Sequence, residues 1–219
     1  MKYTLLIFTL FTALLLRAQN DTYSCGFDNE MISLGIGVIT TEEHFIVMYN
    51  DSLMKDKYVS WDYRKEGPEK PVCGVFFKPD YGILHVVCLR KLKKGYEVLI
   101  NYNEKKYMPY FKSFEFHSWE RYLDTAPLRV GRKEKDNNRF VFYTGPSEKS
   151  DPVTINYASH HFCVQRTSGD WVEVQLECDL DESTEGLPCA DFIHRCDYKS
   201  GWFQWRKGNK LNIEIYLLL

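Results

Sequence analysis

Seven cysteines and six histidines are the residues of this 219-residue chain best suited to covalent or metal chemistry. A Cys-His hydrolase needs a thiolate beside a histidine base that a third polar group holds in place. His44, His85, His160, His161 and His194 could supply the base. The cysteines, however, fall in alternating strand-like runs or in a loop-like stretch, not at a strand-to-helix start where a nucleophile is usually presented. Pairing is the better reading for them. His160, His161, Cys163, His194 and Cys196 could be gathered around zinc, yet no Cys-x-x-Cys occurs and the spacings match no structural zinc pattern. Asp179, Asp181, Ser183 and Glu185 alternate as in a calcium loop, but Thr184 stands where the turn glycine belongs and Ala190 where the bidentate Glu belongs. The sequence therefore predicts no catalytic group, no metal and no cofactor.

Disulfides require an oxidising compartment, and the first residues supply the argument for one. Lys2, the apolar run Tyr3 to Leu16 and the small residue Ala18 fit a signal peptide over 1–18, leaving Gln19 first. The run falls short of the roughly 20 residues that span a bilayer, so no stable membrane insertion is expected after its removal. The short Leu/Phe-rich leader reads as bacterial, and a secreted, periplasmic or cell-surface location follows. Cys25, Cys73, Cys88, Cys163, Cys178, Cys189 and Cys196 make an odd count, so at least one is free or pairs with another chain. Cys189 with Cys196, or one of them with Cys178, would close a short ring in a loop of low apolar content. Cys73 and Cys88 lie equidistant from the turn at Asp80-Tyr81 and form a second candidate pair.

Net charge is −2, which provides no global basic field to hold nucleic acid or an anionic membrane. Arg129, Arg132, Lys133, Lys135 and Arg139 form a local basic run that Glu134 and Asp136 dilute. Fifteen Tyr, fourteen Phe and five Trp, with β-branched residues in short alternating runs, predict a mostly β chain. Strand-like runs occur at Leu34–Thr40, His44–Tyr49, Cys73–Phe77, Ile83–Leu89, Gly95–Ile100 and Lys106–Tyr110. Phe116, Trp119 and Leu123 are spaced for an amphipathic helix of about two turns.

Three pieces of the second half belong together: Phe142 to Ser150, a strand that ends in Gly145-Pro-Ser147; Asp170 to Gln175, a strand that opens on Trp171-Val-Glu-Val174; and Gly201 to Trp205, a Gly-Trp strand start. In this order they resemble the bacterial Src-homology-3-like (SH3b) barrels of secreted and cell-wall proteins. The first half resembles a degenerate second copy. Phe76-Phe77 sits like Phe142-Tyr143, Gly95 to Val98 like Asp170 to Val174, and Lys106 to Tyr110 like Gly201 to Trp205. The resemblance implies two small barrels in tandem: an N-terminal domain over 19–124 ending in a short helix, a linker over 125–139, and a C-terminal domain over 140–219. The C-terminal domain carries a cysteine-bearing insertion over 176–200.

What the resemblance implies for function is a non-catalytic binding or scaffolding module, with cell-wall peptide or another protein as ligand. A small secreted Cys-His hydrolase or a peptidase accessory is the alternative. Strand alternation places Val172 and Val174 in the core and turns Trp171, Glu173, Trp202 and Gln204 outward. These four form the predicted ligand face, because exposed aromatic rings grip extended ligands with little entropy to lose.

Overall fold

The computed structural model describes residues 30–41, 45–62, 69–70, 72–78, 81–124, 128–132, 141–153, 161–176, 189 and 199–217. The protein is mostly β, as its composition predicts. Eight strands form one sheet: β1 (Gly37–Thr41), β2 (Phe45–Tyr49), β3 (Lys57–Asp62), β4 (Phe76–Lys78), β5 (Ile83–Lys91), β6 (Gly95–Leu99), β7 (Lys105–Pro109) and β8 (Phe114–His117). Helix α1 (Trp119–Leu123) follows. Seven strands form a second sheet: β9 (Leu128–Arg132), β10 (Phe142–Tyr143), β11 (Pro152–Val153), β12 (His161–Ser168), β13 (Trp171–Leu176), β14 (Lys199–Gln204) and β17 (Ile213–Leu217). A small hairpin of β15 (Arg206–Lys207) and β16 (Lys210–Leu211) precedes the last strand.

The two sheets repeat one path. The first runs β3-β2-β7-β6-β5-β1-β8 with β4 added beside β5, and the second runs β11-β10-β14-β13-β12-β9-β17. The agreement extends to register. Cys88 faces Val98 and Arg90 faces Glu97 with Leu89 skipped, while Val164 faces Val174 and Arg166 faces Glu173 with Gln165 skipped. The same bulge therefore sits at the same place in two hairpins of equal length. On the next strand Glu97 faces Tyr107 and Glu173 faces Trp202, and beyond that Tyr107 faces Tyr49 while Trp202 faces Tyr143. The extra chain of the second half lies between β13 and β14, where the sequence places the insertion. Phe142-Tyr143 takes the place of Met48-Tyr49, not of Phe76-Phe77. Composition alone could not separate the two apolar-aromatic pairs, and the pairing with the following strands decides it.

Alternation within this shared register builds equivalent interiors. Ile46, Met48, Val86, Cys88, Val98 and Met108 belong to one core, and Phe142, Phe162, Val164, Val174 and Phe203 hold the matching positions in the other. The second core also takes in Met31, Leu34, Val38, Val87 and Leu99 from the first sheet side, together with Trp119, Tyr122 and Leu123 of α1. Burial of side chains this large stabilises by about 2 kcal/mol each. The junction is further fixed by Met31 N–H donating to Asn209 O at 3.0 Å and by Trp119 Nε1–H donating to Leu34 O at 2.7 Å. Both sheets are open paths among the described residues. In the first, Lys91 at the end of β5 reaches across β1 and sits with its ammonium 3.8 Å from the ring centroid of Phe116 on β8.

Glycine is required at two of these places. A Cβ on Gly37 would stand 2.0 Å from the carbonyl oxygen of His117, so β1 and β8 approach through a position only glycine fills. Gly169, with φ of 57°, turns the chain from β12 into β13.

Several expectations are corrected. Cys189 bonds to Cys163 of β12, so neither Cys189 with Cys196 nor Cys178 with Cys189 forms. Cys178 and Cys196 lie outside the described residues. Cys73 is disulfide-bonded but Cys88 is a free, buried thiol, so these two do not pair. The hairpin register Phe76↔His85 does point Cys73 toward Cys88, but β4 begins only at Phe76 and β6 occupies the place opposite Cys88. Cys73 N–H donates to Ile100 O instead. Helix α1 is one turn and excludes Phe116, which lies in β8, because Ser118 caps the helix through its Oγ and the N–H of Arg121. Leu128–Arg132, within the expected linker, is strand β9 and joins β12 to β17. The signal segment 1–18 and the calcium-like run 179–190, apart from Cys189, lie outside the described residues.

Candidate functional site

The outward face of the second sheet brings together all four residues expected from alternation. Trp171 lies opposite Gln204 and Glu173 opposite Trp202, while Val172 and Phe203 on the other face are buried in the core. The register extends the row to four strands: Arg166 on β12, Glu173 on β13, Trp202 on β14 and Tyr143 on β10. Each strand contributes one side chain at the same level, because residues two apart share a face.

Charge and aromatic groups interlock along this row. Arg166 Nε donates to Glu173 Oε2 at 2.5 Å, and Ser200 Oγ donates to Glu173 Oε1 at 2.7 Å. The Arg166 guanidinium carbon lies 5.1 Å from the Trp202 ring centroid, within cation-π range. Trp171 meets Tyr143 edge to face at 5.6 Å. A carboxylate that already accepts from an arginine and a hydroxyl organises the face. Arg166, Tyr143 and Ser200 escaped the sequence reading. The spacing of Arg166 and Glu173 across the Gly169 turn was the signal that could have found Arg166.

The expected open aromatic pair is corrected in one respect. Trp202 points outward but is only 5 % exposed, whereas Trp171 and Gln204 are half-buried and reach solvent. Next to the row, the Cys163–Cys189 disulfide ties residue 189 of the insertion to the sheet. Gln175, facing Ser200 on that side, is 4 % exposed with neither its oxygen nor its nitrogen hydrogen-bonded. The face is therefore closed at the disulfide end and accessible at the Trp171 end.

The other chemistry-bearing residues stand apart from this face. Burial and the neighbouring His117 depress His85 to about 4, and its Nδ1 shares a 2.8 Å hydrogen bond with the Tyr122 hydroxyl. Burial pushes the Cys88 thiol up to about 12, so it stays protonated and packs as a small apolar group. His85 and Cys88 lie three apart on β5 and so project from opposite faces, His85 toward α1 and Cys88 into the first core. His44, His160 and His194 lie outside the described residues, as does the side chain of His161. Among the described residues no group of three or more His, Cys, Asp or Glu could hold a metal ion, and no helix is long and apolar enough to cross a membrane. Comparison with protein-family models, with curated proteins and with solved structures finds no match.

Proposed function

We propose that the protein is an exported, non-catalytic binding or scaffolding module that takes an extended peptide, a cell-wall fragment or a protein segment on the outward face of its second sheet. The four-strand row of Arg166, Glu173, Trp202 and Tyr143 carries this reading. Trp202 forms a rigid floor under Arg166, and Trp171 with Gln204 supplies the solvent-facing rim. Rims of this composition suit ligands that offer peptide groups and small apolar side chains. The repeated strand path supports two tandem units of the kind seen in bacterial Src-homology-3-like barrels. The Cys163–Cys189 disulfide fits an oxidising compartment and hence secretion after removal of 1–18.

The test uses the oxidised protein and soluble muropeptides from digested peptidoglycan, alongside a library of extended peptides. Trp171→Ala should weaken the binding found by about thirtyfold, equivalent to about 2 kcal/mol, with an unchanged melting temperature. A loss of folding in Trp171→Ala would instead make the ring a packing residue. Unchanged binding with an intact fold would move the site elsewhere.

A further inference from the structure

We propose that the corner of the first sheet where the β5–β6 turn meets the start of the β7–β8 connection docks on an anionic lipid surface. Lys93, Lys94 and Lys112 supply the charge, and Tyr110 and Phe111 supply the apolar contact.

The counterpart corner in the second sheet shows what this arrangement looks like when it is covered. There Trp205 N–H donates to Asp170 O at 2.9 Å and Trp205 Nε1–H donates to Gly169 O at 2.9 Å. In the first sheet Tyr110 N–H donates to Lys94 O at 3.2 Å and Tyr110 Oη–H donates to Leu92 O at 2.5 Å. The same aromatic position is thus strapped to the same hairpin turn by the same two kinds of bond. The surroundings differ. Trp205 is 1 % exposed, lies 5.3 Å from the ring of Trp119, and has Arg206 beside it neutralising Asp170. Tyr110 is 46 % exposed and Phe111 41 %, although each is pinned by a neighbouring ring, Tyr96 and Phe114 respectively.

Lys93, Lys94 and Lys112 are exposed and make no ion pair. The equivalent turn in the second sheet, Ser168 to Trp171, forms without a lysine, so the hairpin does not need them. Glu97 of this hairpin is engaged by Arg90 and Glu115 of β8 by Arg121, while Asp51, on the β2–β3 loop whose Met54 side chain lies against Gly95, accepts from the N–H groups of Leu53, Lys55 and Asp56. A positive tip thus stands on a chain whose net charge is −2, which would orient this corner toward a negative surface.

The occupant follows from shape and charge type. Lysine ammoniums on flexible stems around half-exposed rings, on an exposed turn, suit a flat layer of headgroups. A polyanionic chain would call for a groove and for planar guanidinium forks. Tyrosine and phenylalanine rings held at the boundary would sit at headgroup depth without spanning the bilayer.

Flotation of the full oxidised chain with vesicles tests this. Binding is expected to vesicles of about 30 mol% phosphatidylglycerol in phosphatidylcholine at about 50 mM salt, to be absent with phosphatidylcholine alone, and to be lost near about 500 mM salt. The triple variant Lys93→Glu, Lys94→Glu, Lys112→Glu should lose roughly tenfold or more in affinity. Phe111→Ser should lose about threefold with the same salt dependence. Lys207→Glu with Lys210→Glu, on the second sheet's β15–β16 hairpin, should bind as the wild type does. Should the triple variant fail to fold, Lys93→Glu and Lys112→Glu singly, each on an exposed turn, carry the test. The proposal is overturned by absence of binding to the anionic vesicles or by an equal loss in the Lys207/Lys210 control. Binding to a soluble acidic polysaccharide such as heparin, with none to vesicles, would overturn it too and assign the corner to a polyanion.

Discussion

Trp205 and Tyr110 occupy the same point on two copies of one strand path, and their fates are opposite. Both are tied by backbone and side-chain hydrogen bonds to the turn of the preceding hairpin. One is sealed against α1, and the other is left at the surface. The backbone frame is common property of the two halves. Whether a corner becomes interior or interface is decided by what arrives from outside the frame, here Trp119 and the segment around Leu34. A surface position in one copy can therefore be judged against its covered twin, which separates residues the hairpin needs from residues it merely carries.

The contrast should be largest in stability. Trp205→Ala removes a buried ring from the shared core and should cost about 3 to 5 kcal/mol, while Tyr110→Ala should cost about 1 kcal/mol or less, read by urea denaturation. Comparable losses in the two variants would mean that the first corner is also packed.

The cysteines give the next contrast. Replacing Cys163 and Cys189 together by Ala opens a ring spanning a sequence separation of 26 and should cost about 3 kcal/mol. Cys88→Val, at the position that Val164 fills in the other core, should change stability by less than about 1.5 kcal/mol. Thermal melting under oxidising conditions compares the two.

A pH dependence should belong to the α1 side of the first sheet. Because the folded protein holds His85 at about 4, below the ordinary 6.5, its neutral form is favoured by folding. The associated stability is fully present above about pH 6.5 and is lost as pH falls toward 4, by up to roughly 3 kcal/mol. His85→Gln, which can keep a bond to Tyr122 but does not titrate, should flatten the difference between denaturation midpoints at pH 7 and pH 4. An unchanged slope would show that other groups carry the acid sensitivity.

The smallest effect is expected where the halves agree. Arg90→Ala and Arg166→Ala each break an ion pair whose arginine is mostly exposed, so both should cost no more than about 1 kcal/mol, and by similar amounts. A clear inequality between them would show that Trp202 depends on Arg166 for its cover.

Strand identity and facing were legible because they are local. The alternation in Trp171-Val-Glu-Val174 is enough to send the valines inward, and Glu173 and Trp202 then share the outer face whatever the neighbours are. The cover over Trp202 was not legible, since Arg166 reaches it across an intervening strand. Neither was the partner of Cys189, which depends on where the insertion lands on β12. Leu128–Arg132 read as a linker because its charges hide a strand whose pairing comes from both β12 and the distant β17. The repeat of one strand path was visible in outline, but the sequence pairs Phe142-Tyr143 with the wrong strand because two apolar-aromatic pairs look alike until their ladders are known.

In each sheet the strand that comes first in the chain completes its ladder with the strand that comes last, β1 with β8 and β9 with β17. On the ribosome this imposes a schedule. β1 keeps one bare edge until His117 has emerged, and only then can α1 form against a finished sheet. β9 waits in the same way for Ile213–Leu217. Until each closing strand arrives, the waiting edge is open to pairing with a neighbouring chain. Synthesis halted before Ile213 would thus yield a finished first sheet joined to a second with an unpaired β9, a species prone to aggregate through one half alone.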